Sequence, residues 1–403
     1  MPANSIHSAS QIDSEATEVT QASDPGDFQM GPVLGVSFAH ATNDTYTSFL
    51  APLLPALIDN LALSKTQAGL LAFLQSSPSL LQPVIGHLSD RADLRYLVIF
   101  APAVGATIMS SLGVAPRYAV LALMVMVAGL SSASLHAVAP AIAGRFSGRS
   151  LGRAMAYWMV GGTLGFTVGP IIVVTTVTLL TLEGTRWLMV GGWLASALLF
   201  VRLRHVSVPT LSVEDSGSLR AGIQALRPLL APVGGLTVMR ALMVAATFIF
   251  LPTYLTERGA SLWLAGLSVS VAAAAGAAGA LLGGSMSDRW GRRAVLSAFT
   301  LATPLLMFAL LTLSGWALLP VLVALGISMA PNQVILMAVM QENCPANRAL
   351  ASGVYLSMAF ISESAGALAL GVLGDLVGLP LAYAASAVVL LLGLPLVLLL
   401  PRG

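Results

Sequence analysis

Apolar runs of about 20 residues or more recur along the whole chain, and they restrict its fold more than any other feature. As a helix, a run of that length crosses a hydrocarbon core about 30 Å thick. Helices are then obligatory, because a backbone in lipid has to satisfy its polar groups within its own segment. Of the 403 residues, 57% are hydrophobic and 9% are charged, and the mean hydropathy is +0.87; soluble domains carry roughly a quarter charged residues. The sequence therefore predicts an all-α integral membrane protein.

A net charge of +2 and a pI near 8.9 raise the question of an anionic partner. The 19 basic residues are scattered through short loops and form no block, so no nucleic acid partner is expected. One cysteine, Cys344, excludes an internal disulfide and a cysteine-based metal cage. No Gly-x-x-x-x-Gly-Lys-Ser/Thr phosphate cradle occurs, which excludes ATP as a drive supplied by this chain. Energy is left to an ion gradient or to the gradient of a transported compound, and no cofactor and no enzymatic activity are expected.

Residues 1–30 carry Asp13, Glu15, Glu18, Asp24 and Asp27 with no Lys or Arg, and read as a disordered cytoplasmic tail. They lack the basic and apolar regions of a cleaved signal peptide, so the first span is also expected to start insertion. Apolar stretches then fall near 31–58, 64–87, 94–115, 117–143, 150–180 and 184–204, and again near 228–256, 261–286, 294–315, 316–341, 348–373 and 379–400. That is twelve spans in two sixes, an N-terminal bundle at 31–206 and a C-terminal bundle at 228–403, joined by a polar cytoplasmic linker at 207–227. With the N-terminus inside, 14 arginines face the cytoplasm, and four basic residues (Lys65, Arg117, Arg186 and Arg258) face out. Arg240 is the one basic residue near the middle of a span. This bias predicts that both termini are cytoplasmic.

The two sixes echo each other. Gly86-His-Leu-Ser-Asp90-Arg91 returns 198 residues later as Gly284-Ser-Met-Ser-Asp288-Arg289. Phe49-Leu-Ala-Pro52 matches Ile249-Phe-Leu-Pro252 at an offset of 200, which sets His40 opposite Arg240. Arg153-Ala-Met-Ala156 weakly echoes Arg348-Ala-Leu-Ala351. Such offsets fit a duplicated six-span unit.

These residues resemble the major facilitator superfamily. Its loop signature, roughly Gly-x-Leu-x-Asp-Arg-x-Gly-Arg-Arg, is matched by Gly284 to Arg293 with Met286 for Leu; the first copy keeps Gly86, Leu88, Asp90, Arg91 and Arg95 but lacks the second Gly. Within the superfamily, Ser37-Phe-Ala-His40-Ala-Thr-Asn43-Asp44, Ser79-Leu-Leu-Gln82-Pro83-Val-Ile-Gly86, Ser131-Ser132 and His136 are similar to the fosmidomycin-resistance branch of drug efflux proteins. The resemblance implies the major facilitator fold of two pseudo-symmetric six-helix bundles. It also implies alternating access, a monomeric protein of the inner (plasma) membrane, and a cavity lined by spans one, four, seven and ten.

In the loop copies a small Gly lets helices approach, and the Asp can meet a helix N-terminus or an Arg and lock a cytoplasmic closure. Gly86, Asp90, Arg91, Gly284, Asp288, Arg289, Arg292 and Arg293 are read as this gate, although the arginines alone could serve as topology signals. Gly165, Gly169 and Pro170 belong to a row of small residues ending in a predicted kink, which the resemblance associates with proton-coupled exporters. Close helix packing would use the same residues.

Ionisable groups inside a bilayer cost several kcal/mol unless they face a cavity or a partner, and few occur here. His40, Asn43 and Asp44 lie at i, i+3 and i+4 in span one, His136 in span four, Arg240 in span seven and Glu363 in span eleven. Asp44 and Glu363 are read as proton-coupling groups, because a carboxyl alternately buried and exposed can load and release a proton. Asp44 could instead bond Asn43, His40 or Arg240, and Glu363 could bond Ser362, Ser364 or a carbonyl. Arg240 is the candidate for holding an anion, since a guanidinium grips carboxylate or phosphonate with two prongs; a buried ion pair with Asp44 is the alternative. His40, Asn43 and His136 complete the substrate-binding candidates, while Gln75, Gln82, Asn332, Gln333, Tyr46 and Trp158 could line the cavity. Two histidines and one carboxylate spread over two helices are set aside as a metal site.

The expected function is proton-coupled efflux of a small anionic or amphipathic compound such as a drug. Proton-symport uptake of an organic anion, and a non-transporting membrane sensor or scaffold, are the alternatives.

Overall fold

The computed structural model describes residues 28–205, 219–345 and 348–401; the side chains of residues 90–91, 219–221 and 348–349 lie outside what is described. In chain order the helices are α1 (Met30–Thr47), α2 (Leu50–Leu61), α3 (Lys65–Ser76), α4 (Gln82–Arg91), α5 (Arg95–Ser110), α6 (Tyr118–Arg145), α7 (Leu151–Gly184) and α8 (Met189–Leu203). They continue as α9 (Leu219–Phe248), α10 (Leu251–Glu257), α11 (Leu262–Trp290), α12 (Arg292–Thr312), α13 (Leu318–Glu342), α14 (Arg348–Val377), α15 (Leu379–Leu391) and α16 (Leu394–Leu398). No strand occurs among the described residues.

Nine helical stretches among the described residues are long and apolar enough to cross a membrane. One of them, Leu151–Leu203, has 53 residues, far more than a single crossing needs, and its backbone leaves helical angles at Thr181, where φ is 66°. α1 with α2 and α3 with α4 are each interrupted midway, so neither pair forms one continuous apolar helix. The arrangement is consistent with twelve crossings. A bend was expected at Gly165, Gly169 and Pro170, but α7 keeps helical angles there and departs from them at Thr181. The small residues do serve close contact: a side chain at Gly161, Gly165 or Gly169 would strike the backbone oxygens of Ser37, Ala41 and Thr45 on α1.

The internal echo has a local counterpart. α1 gives way to α2 around Ser48 and Phe49, and α9 to α10 around Ile249 and Phe250, in each case just before a proline at position two or three of the next helix. α1 packs on α7, and α9 on α14. The tail at 1–30 falls outside the described residues up to residue 27, and the linker falls outside up to residue 218. α9 starts at Leu219, so the last part of the stretch expected as linker is helical. Leu226, inside that stretch, is buried in an apolar cluster with Val233, Val295 and Tyr355, which is why the helix extends beyond its membrane-length run.

Three apolar clusters organise the interior. The largest joins both halves of the chain, with Leu53, Leu57, Leu71 and Val174 packed together with Met243, Phe250, Tyr254 and Leu370. A second contains only N-terminal residues, among them Val36, Leu135, Ala154 and Trp158. A third contains only C-terminal residues, among them Leu229, Leu336 and Tyr355. The halves therefore share a core at one end of the bundle and have separate cores at the other.

Polar contacts seal the shared end. The Asp375 carboxylate, at the close of α14, accepts from the backbone N–H groups of Lys65 and Thr66 at 2.8 Å each and from the Thr66 hydroxyl at 2.6 Å. It thus occupies the N-terminus of α3, where free N–H groups and the helix dipole favour an anion. Lys65 Nζ reaches Glu257 at 2.9 Å. Side chains at Gly69 and Gly371 would collide with the backbone of the opposite helix, so glycine permits this crossing of α3 and α14.

Candidate functional site

α1 turns one face toward α6 and α7, and its polar residues gather there. The His40 ring stacks on Trp158 of α7 with centroids 3.7 Å apart and planes 17° from parallel. Its Nδ1 lies 2.9 Å from the Trp158 carbonyl oxygen. Its Nε2 lies 3.1 Å from His136 Nε2 and 3.1 Å from Asp44 Oδ2. His136 Nε2 is 3.6 Å from Asp44 Oδ1, and its Nδ1 is 2.9 Å from the Ser132 carbonyl one turn back on α6. Asn43 donates through Nδ2 to Asp44 Oδ1 and to Ser132 Oγ, at 3.0 Å each, and so fixes the carboxylate. His40 fits only because residue 162 is glycine, since a side chain there would run into the imidazole.

Sequence spacing placed His40, Asn43 and Asp44 together, and the structure adds His136 and Trp158. It also overturns the reason for setting a metal aside: the ligand atoms of His40, Asp44 and His136 lie within 4.8 Å of one another although they come from two helices.

The second cluster lies between α9 and α14. Arg240 Nη1 donates to Glu363 Oε1 at 2.8 Å, with the arginine side chain 8% exposed and the glutamate 29%. The sequence left Arg240 open to Asp44, and Glu363 to Ser362, Ser364 or a carbonyl; the structure pairs Arg240 and Glu363 with each other, a pairing the sequence reading did not raise. Asp44 pairs with the two histidines instead. Arg240 Nε, the Asn332 side-chain oxygen and the Tyr355 hydroxyl are buried without a hydrogen-bond partner among the described residues. Tyr355 is close enough to Arg240 and Glu363 to feel both charges. Sequence reasoning missed Tyr355, because a tyrosine in an apolar helix looks like packing.

At the end with separate cores, Asp288 and Glu342 both bond Arg292 at 2.6 Å, and Arg292 also bonds Ser287. These contacts tie α11, α12 and α13 together within the C-terminal half. Asp90 and Arg91, the matching charges of the first copy, lie outside the described side chains, whereas Arg145 of α6 donates to the neighbouring Ser89 carbonyl at 3.3 Å.

Two sets of apolar helices joined at one end, each holding a buried polar cluster, describe a multi-pass membrane protein, and its family makes it a transporter rather than an enzyme. The chain belongs to the Major Facilitator Superfamily, whose family model matches residues 36–367 and 233–403. It is similar to the fosmidomycin resistance protein of Escherichia coli (strain K12), at 25% identity over 378 residues that cover 90% of this chain and 91% of that protein. The MFS-type transporter YfnC of Bacillus subtilis (strain 168) is 26% identical over 379 residues, covering 91% of each. Among solved structures, a bacterial homolog of the human lysosomal transporter Spinster, inward-facing and occupied, matches with a TM-score of 0.77 at 16% identity. That match covers 91% of this chain and 95% of that one. The nucleoside transporter NupG matches with a TM-score of 0.71 at 14% identity, covering 92% and 98%. The structural likenesses give the fold.

Proposed function

We propose that this chain is a proton-coupled antiporter that exports a small anionic or amphipathic compound, such as a drug, across the inner (plasma) membrane. Both termini are cytoplasmic in this reading, and the bundles at 31–206 and 228–403 rock against each other. The observation that carries it is the division of charge between the halves. Asp44 is surrounded by two imidazoles and an amide, so the charge of its cluster changes with each proton taken or lost. Arg240 is a permanent cation facing a single carboxylate, Glu363, and a guanidinium is the group that matches a carboxylate or phosphonate. Asp44 loads a proton on the outer side and releases it on the inner side; Glu363 is the second proton-coupling group. His40, Asn43, His136 and Arg240 meet the cargo.

With the arginine-rich loops inside, the shared core closes the outer end and the end with separate cores faces the cytoplasm. The likeness to an inward-facing transporter supports that state. Gly86, Asp90, Arg91, Gly284, Asp288, Arg289, Arg292 and Arg293 form the gate that closes the inner end in the opposite state. Likeness to a protein named for fosmidomycin resistance supports export.

The test uses the full chain in proteoliposomes under an imposed pH gradient. Asp44→Asn is expected to abolish pH-driven movement of a ligand while leaving ligand exchange measurable. An unchanged pH-driven rate removes Asp44 from coupling, and wild-type movement along with the protons selects uptake by symport.

A further inference from the structure

The histidine tautomers follow from their outer bonds. A carbonyl oxygen only accepts, so His40 Nδ1 carries hydrogen toward Trp158 and His136 Nδ1 carries hydrogen toward Ser132. When both rings are neutral, each Nε2 is a bare lone pair. The structure aims these two lone pairs at each other across 3.1 Å and adds the Asp44 carboxylate at 3.1 and 3.6 Å. Three acceptor groups thus converge on one point with no donor of their own between them. Asn43 donates to Asp44 Oδ1 and leaves Oδ2 turned to His40, and the Ser132 hydroxyl, 3.3 Å from His136, lies on the Nδ1 side of that ring.

A proton on either ring satisfies one facing acceptor at a time, whereas a divalent ion satisfies all three. We infer that His40, Asp44 and His136 form a binding site for a borderline divalent transition-metal cation of the zinc class. Two imidazole nitrogens and one carboxylate oxygen suit zinc, cobalt or nickel, while magnesium and calcium require oxygen ligands. Metal–ligand bonds of about 2.0–2.2 Å put neighbouring ligand atoms of a tetrahedral site a little over 3 Å apart, as two of these contacts already are. The surroundings are those of metal-binding histidines, each holding its ring with the far N–H on a backbone carbonyl. The His136 side chain is 28% exposed against 7% for His40, which gives the ion an entry path and leaves a coordination position for solvent or an anionic ligand. Bound there, the ion ties α1 to α6 and occupies the atoms that otherwise hold protons.

The inference is independent of the transport reading, and its test involves no flux. Purified full-length chain, freed of metal by a chelator, is titrated with Zn2+ by calorimetry and with Co2+ by its visible absorption. One ion per chain is expected, with a cobalt spectrum of low coordination number. His40→Ala and His136→Gln are each expected to weaken binding by more than about tenfold, since losing even an outer-sphere partner costs ten- to a hundredfold. Joint replacement of His7, His87 and His205 by alanine is expected to change nothing. Absence of one bound ion in the wild type overturns the inference. So does binding that survives both cluster variants, or that disappears with the other three histidines. If His40→Ala fails to fold, His136→Gln at the more exposed rim decides the outcome.

Discussion

His40 and Arg240 occupy matching places on the first helix of each half, yet they meet partners of opposite kinds. His40 faces a second imidazole and a carboxylate, a group whose charge follows the protons it holds. Arg240 faces one carboxylate across α9 and α14, and its own charge never changes. α1 packs on α7 as α9 packs on α14, but the second imidazole reaches His40 from α6, whereas Glu363 reaches Arg240 from α14. The repeated backbone supplies position, and the side chains set upon it supply a difference in electrostatics between the halves.

Removing one partner from each cluster tests the contrast most severely. Glu363→Gln leaves the Arg240 cation buried and uncompensated, a change that costs up to about 3–5 kcal/mol for a buried pair and less here because Glu363 is partly exposed. Asp44→Asn leaves two imidazoles that can both be neutral, so thermal unfolding is expected to show a much larger loss for Glu363→Gln. Equal losses would erase the distinction. Next in size, Arg240→Ala is expected to weaken an anionic ligand by about 1.5–3 kcal/mol, the worth of a charged hydrogen bond, and a neutral analogue by much less. Equal loss for both would make Arg240 structural. The smallest effects belong to the sealed end. Asp375→Asn should weaken the seal by about 1–2 kcal/mol and raise labelling of a cysteine placed behind it, while Lys65→Ala, at an exposed ion pair, should change labelling by less than about 1 kcal/mol equivalent.

The fold and one cluster were legible in the sequence because polar groups are rare in these apolar runs. His40, Asn43 and Asp44 stand out by helical spacing, and Arg240 and Glu363 by charge alone. Their partners were not legible, since pairing across helices depends on which face each helix turns inward. Hence the sequence left Arg240 open to Asp44, whereas the packing of α9 on α14 gives it Glu363. Asp375 was hidden for a different reason. A carboxylate at the end of an apolar run looks like the start of a loop, and only the approach of α14 to α3 shows the helix N-terminus it occupies.

Gly162 carries no charge and touches nothing through a side chain, yet the imidazole of His40 occupies the space that a side chain there would need. Descendants of this chain can therefore alter the cluster without mutating any of its polar members. A single methyl added at position 162 would collide with the His40 ring and force it or its helix to shift, so drift at an apolar site is a heritable route to a rearranged cluster.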